Sequence, residues 1–119
     1  MKDPFIYLTD ILQAIQQIND YTNGIEYQEF EKDTKTQDAV IRQITIIGEA
    51  SSRLDYNIKE AISPVPWKQI IGMRNKLVHD YAGVLADRIW EVVQKDLKPL
   101  RKAIESFIDE SSNEEQKNK

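Results

Sequence analysis

Apolar residues recur at helical spacing along most of the chain. Phe5, Leu8, Leu12, Ile15 and Ile18 follow one another at steps of three and four, which predicts an amphipathic helix over residues 4–22. Asp3 is suited to cap it and Pro4 to open it, since a proline costs nothing where the helix has no partner for the N–H. Asn23-Gly24 ends it, and a connector runs to about residue 33, with Tyr27 and Phe30 as its anchors to the core. Thr34 and Gln37 have the spacing of a capping box and start a second helix running to about Tyr56. Its apolar positions are Val40, Ile41, Ile44, Ile47, Ala50 and Leu54, with Ile46 outside the stripe. So wide an apolar surface suits a helix packed on more than one side, and a partner chain is one explanation.

Ser63-Pro64-Val65-Pro66 breaks the pattern, and Pro66 opens a third long helix over residues 66–80, with Gly83 after its end. Asp87 is placed to cap a fourth, which carries Ile89, Trp90, Val93, Leu97, Leu100, Ile104, Phe107 and Ile108. Pro99 lies inside it and predicts a kink or split near Lys98. Residues 110–119 are polar without periodicity and are expected to be disordered, which leaves one folded domain over 1–109. With no strand alternation and no repeats, the expected fold is all-α: an antiparallel bundle of four long helices and a possible short fifth.

The third helix holds the candidate chemistry. At 100° per residue, Ile70, Tyr81, Arg74, Trp67, Val78 and Ile71 share one arc of about 100°, the core-facing stripe. A guanidinium in the middle of that stripe keeps its charge and needs a carboxylate or a wet cleft beside it. Lys68, Gly72, Asn75 and His79 line the opposite face. Gly72 costs roughly 1 kcal/mol against alanine inside a helix, a sign that something approaches closely there.

Composition narrows the options. The chain has 119 residues, 40% of them apolar and 30% charged, with no cysteine and one histidine. Disulfides, thiolate metal sites and multi-histidine sites within one chain are therefore excluded. No apolar run is long enough for a membrane span, and the first residues lack the apolar stretch of a signal peptide, so the expected location is cytoplasmic. The net charge of −4 gives no bulk electrostatic support for binding nucleic acid, which would require a local basic cleft.

Arg74-Asn75-Lys76-Leu77-Val78-His79-Asp80-Tyr81 has the form R-x4-H-x-Y. With Ile47-Gly48-Glu49-Ala50 before it, Val65-Pro66-Trp67 at the start of its helix, and Ile89-Trp90 and Asp96-Leu97 after it, the chain resembles the HepT-like toxins among the HEPN ribonucleases over about residues 4–108. R-x4-H alone is a weak signal; the whole set in order is a specific one. The resemblance implies a cytoplasmic, metal-independent endoribonuclease without cofactor, usually a homodimer with two copies of the motif facing one cleft. His79 would act as general acid or base, for which an imidazole pKa of about 6.5 is suited. Arg74 would stabilise the charge building on the phosphate, and Asn75 would orient His79 or bind a phosphate oxygen. Glu49 would support Arg74. The resemblance also implies a toxin–antitoxin system in which a minimal nucleotidyltransferase antitoxin transfers AMP to Tyr81. An alternative is a non-catalytic binding subunit of a nucleotidyltransferase complex.

Each residue also has a purely structural reading. His79 could simply end a helix, where a cation favours the dipole. Arg74 could form an ion pair with Glu49, Tyr81 could be a half-buried helix-end aromatic, and Asn75 and Lys68 could be solvated surface. On an ideal helix, positions 74 and 79 point about 140° apart. Convergence on one phosphate therefore requires unwinding near His79, an Arg74 side chain that curls round, or a residue supplied by a second chain.

Overall fold

A computed structural model of the chain describes residues 3–62, 65–79 and 86–117, with the backbone alone at 76–79 and 114–117. The described residues are helical with no strand, an all-α bundle as the hydrophobic pattern requires. None of their helices is long and apolar enough to cross a membrane.

Helix α1 spans Pro4–Thr22. The Asp3 carboxylate accepts from the Phe5 N–H at 2.9 Å, and Pro4 occupies the first turn, so the expected start is observed. Leu8, Ile11, Ala14, Ile15 and Ile18 are its buried residues. The stripe is therefore centred on Ile11, while Phe5 is exposed and Leu12 only half-buried. The connector contains a short helix, α2 (Tyr27–Lys32), that the spacing did not predict. Its expected anchors hold: Phe30 is fully buried, and the Phe30 and Tyr27 rings lie 5.0 and 6.1 Å from the Trp90 ring.

Helix α3 spans Thr34–Arg53, and its cap corrects the expected one. Asp33, not Thr34, is the N-cap: its carboxylate accepts from the Thr36 N–H at 3.1 Å and the Thr36 hydroxyl at 2.5 Å. A carboxylate meets the helix N-terminus with charge as well as a lone pair, and so prevails over a neighbouring threonine. The Gln37 side chain instead donates to the carbonyls of Phe30 and Glu31, which ties α2 to α3. At the far end Leu54 is extended and Asp55 caps a separate short helix, α4 (Tyr56–Ala61), by accepting from the Ile58 N–H at 2.9 Å. With α2 this makes two short helices where the pattern allowed for one, and it takes Tyr56 out of α3.

Helix α5 spans Trp67–His79. The Pro66 carbonyl accepts its first helical bond, from the Ile70 N–H, so Pro66 stands at its start. The Trp67 indole N–H donates to the Lys59 carbonyl at 3.0 Å and fixes α4 against α5. The arc expected from sequence is observed: Trp67 and Ile70 are buried, Ile71 and Arg74 half-buried, and Lys68, Gly72 and Asn75 exposed. Helix α3 packs against α1 and against α5, so contacts within the chain account for much of its wide apolar surface.

Helix α6 (Ala86–Glu91) continues through a π-helical segment, Val92–Asp96, into α7 (Leu97–Lys117). The expected break at Pro99 thus takes a different form. Proline offers no N–H to the carbonyl four residues back, and its ring crowds that carbonyl. Widening the preceding turn relieves the crowding while the helix runs on. Ile89, Val93, Leu97, Leu100 and Ile104 stay buried along the whole run. Residues 110–117 continue α7 as helix where composition predicts disorder, because extending a helix already held by packing is far easier than starting one.

Candidate active site

The site begins at the crossing of α3 and α5. Gly48 is buried on α3, and a Cβ built there would overlap Cβ and Cγ of Arg74 and stand 3.4 Å from its Cδ. The arginine stem therefore lies directly on bare α3 backbone. That contact brings α5 close and sets the position from which the guanidinium projects.

Two groups hold the guanidinium. Its Nη2 donates to Glu49 Oε1 at 3.3 Å, and its Nη1 donates to Asn75 Oδ1 at 2.6 Å. Two of its five N–H donors are thus used, and the buried Nε has no partner among the described residues. The Arg74 and Glu49 side chains are 29% and 49% exposed, so water screens the pair and its contribution to stability is small, about 0–1 kcal/mol. Its value is directional: the pair aims the guanidinium. The expected Arg74–Glu49 ion pair is thereby observed.

The bond to Asn75 bears on the angular problem. Residue 75 lies about 100° round the helix from residue 74 and only about 40° from residue 79. By reaching Asn75, Arg74 turns its guanidinium out of the core stripe and toward the face that carries residue 79. Helix α5 keeps its helical backbone through His79, so the side chain curls and the helix does not unwind before that residue. The His79 side chain and all of Tyr81 lie outside the described residues.

Asn75 thus serves Arg74, a bond that neither expected role included. Gly72 has open space where a Cβ would be and is exposed, so among the described residues nothing approaches it. The close approach is at Gly48 instead. A glycine inside a helix between Ile47 and Glu49 is itself a sequence signal for such a contact.

A family model described as ribonuclease HepT-like matches residues 11–107. The chain belongs to the HepT-like ribonuclease family. A Thermococcus cleftensis protein named "Probable ribonuclease HepT" is 40% identical over 101 residues, covering 85% of this chain and 92% of its own. A protein of Caldanaerobacter subterraneus subsp. tengcongensis, named as a candidate RNase, is 40% identical over 108 residues, covering 91% and 96%. Another so named, from Methanocaldococcus jannaschii, is 38% identical over 116 residues, covering 94% and 96%. No solved structure matches the chain. The HepT-like assignment agrees with the all-α fold, and the match takes in the α3–α5 crossing and the whole R-x4-H-x-Y segment.

Proposed function

We propose that this HepT-like chain is a metal-independent endoribonuclease, the toxin of a toxin–antitoxin pair, acting through Arg74, Asn75 and His79. One observation carries the reading. The Arg74 stem is seated on Gly48, and its guanidinium is held by Glu49 and Asn75 and turned toward the helix face of His79 with donors to spare.

In the reaction, the ribose 2′-oxygen attacks the adjacent phosphorus and the bond to the 5′-oxygen breaks. The products are a 2′,3′-cyclic phosphate and a free 5′-hydroxyl. His79, the one histidine of the chain, removes the 2′-proton or supplies a proton to the departing 5′-oxygen. Arg74 donates to the non-bridging oxygens, where negative charge grows in the transition state. Asn75 and Glu49 hold the guanidinium for that task, so less order has to be imposed when substrate arrives. A DNA strand lacks the attacking hydroxyl and is not cleaved. A homodimer would set two such sites on one cleft.

The inhibitory partner is a minimal nucleotidyltransferase that transfers AMP from ATP to the Tyr81 hydroxyl and releases pyrophosphate. An anionic nucleotide two residues from His79 repels RNA and fills the cleft. Induced expression of wild type against His79→Ala, followed by RNA analysis, tests the reading. Growth arrest and RNA fragmentation with wild type, both absent in the variant, are expected; arrest that persists in the variant excludes His79 chemistry.

A further inference from the structure

A chain with net charge −4 needs a local cationic surface to hold RNA, and one lies away from Arg74. Between Lys95 and Lys102 stand four cations, Lys95, Lys98, Arg101 and Lys102, against the single carboxylate of Asp96. Three of the four line a groove of about 550 Å³ between α1 and the π-helical run: Lys98, Arg101 and Lys102, with Asn19, Thr22 and Gln94 beside them and Glu105 as the one carboxylate of the lining.

The groove is a product of the helix distortion. Pro99 forces the wide turn at Val92–Asp96, and that turn resets the direction of every side chain after it. Lys98, Arg101 and Lys102 then stand at i, i+3 and i+4 on one face, within about 6 Å along the axis. Among the described residues Lys98 and Lys102 have no ion-pair or hydrogen-bond partner, so their charge is available. Arg101 donates through Nε to Glu105 at 2.8 Å, which fixes the guanidinium at the groove and partly offsets its charge.

The neutral lining discriminates among anions. Ile15 and Val93 are buried and give the groove an apolar floor. The Thr22 hydroxyl spends its proton on the Ile18 carbonyl at 2.8 Å, so toward the groove it can only accept. An acceptor suits a sugar hydroxyl and not a phosphate oxygen. The Asn19 and Gln94 side chains offer both donors and acceptors. Cations, a hydroxyl acceptor and an apolar floor together match a ribose–phosphate chain, which carries an anion and a hydroxyl in every nucleotide, better than an acidic peptide, whose carboxylates give a hydroxyl acceptor nothing to accept.

We propose that this groove holds the backbone of single-stranded RNA, with Lys98, Arg101 and Lys102 on its phosphates and Thr22 accepting from a 2′-hydroxyl. It is a substrate-holding site separate from the Arg74 residues. The proposal rests on the ribonuclease reading for its biological meaning but not for its test.

The test is binding of a fluorescent single-stranded 20-nucleotide RNA to the full chain, followed by anisotropy over a salt series. His79→Ala is the background, so that no RNA is cut. Lys98→Ala/Lys102→Ala should weaken binding about tenfold at moderate salt and flatten the log–log salt slope by about 1.4, two contacts at about 0.7 each. Lys98→Arg/Lys102→Arg should keep both near the parent values, and both lysines are exposed, so the thermal midpoint should not move. Unchanged affinity and slope in the alanine pair overturn the proposal, as does failure of the parent to bind RNA. Loss of an acidic protein partner with RNA binding intact also overturns it. Without the His79 change, the same chains separate the two readings. Cleavage with no lysine effect removes the groove alone, whereas a lysine effect on binding without any cleavage removes the nuclease reading alone.

Discussion

Gly48 and Arg74 touch so closely that no side chain fits between them: the arginine stem takes the space a Cβ on α3 would need. Helix approach and guanidinium position are therefore one and the same contact. Glu49, the next residue on α3, and Asn75, the next on α5, then fix the direction of the charge.

Gly48→Ala should therefore damage fold and site together. The overlap involves Cβ and Cγ of Arg74, which cannot swing away as a side-chain tip can. Overpacking of this kind costs about 1–3 kcal/mol, a loss of at least 4 °C in thermal midpoint for a domain of roughly this size. Arg74→Ala should not rescue it, because that Cβ remains. Calorimetry of the single and double variants checks this; a midpoint within 1 °C of wild type for Gly48→Ala, at about the resolution of the method, would contradict it.

Arg74→Lys should keep the fold and lose the chemistry. Lysine keeps the charge but has no planar fork to engage Glu49 and Asn75 at once. Cleavage should fall about 10²-fold, the usual size for removing one preorganised donor set. Equal rates for lysine and arginine would mean that charge alone suffices.

Glu49→Gln separates aim from stability. The pair is half-exposed, so its loss should cost under about 1 kcal/mol. RNA cleavage should nonetheless fall about tenfold as the guanidinium loses its charged guide. A large drop in thermal midpoint with normal cleavage would reverse the assignment and make Glu49 purely structural.

The α3 cap gives a pH prediction. The bonds from the Thr36 hydroxyl and then the Thr36 N–H hold the Asp33 carboxyl below its ordinary 3.8. A depressed carboxyl pKa contributes stability that is complete above the unfolded value and lost as pH falls through the folded one. Acid should therefore destabilise the protein below about pH 4 in part through Asp33. Asp96 has the opposite sign: burial, then Glu91, raises its carboxyl, so its ionisation opposes folding as pH rises. Thermal midpoints of Asp33→Asn between pH 5 and 3 check the first effect, since asparagine still caps but does not titrate. A flatter acid limb is expected, and one parallel to wild type would contradict it.

Much of this was legible in the sequence, and the exceptions share a cause. The α1 boundaries and the core-facing arc of α5 follow from spacing, and the need of Arg74 for a carboxylate or a wet cleft from the cost of an unpaired charge; Glu49 as that carboxylate came from the resemblance. The cap at Asp33 was missed because two cap-forming residues adjoin and local pattern does not rank them. The π-helical turn was missed because Pro99 announces a disturbance without saying how the packed chain absorbs it. Gly48 entered through resemblance; a glycine inside a helix does signal a close approach, but its partner is Arg74, 26 positions away, and no local pattern names a partner that far off. Arg74 curling to Asn75 is likewise a tertiary choice among rotamers that sequence leaves open.

The central claim is best tested by incubating purified wild-type chain with labelled RNA in excess chelator and analysing the fragment ends. Cleavage that leaves 2′,3′-cyclic phosphates, lost at least about 10²-fold in folded His79→Ala and in folded Arg74→Ala, is the expected result. Cleavage that needs added divalent metal, or that survives either substitution, would contradict it.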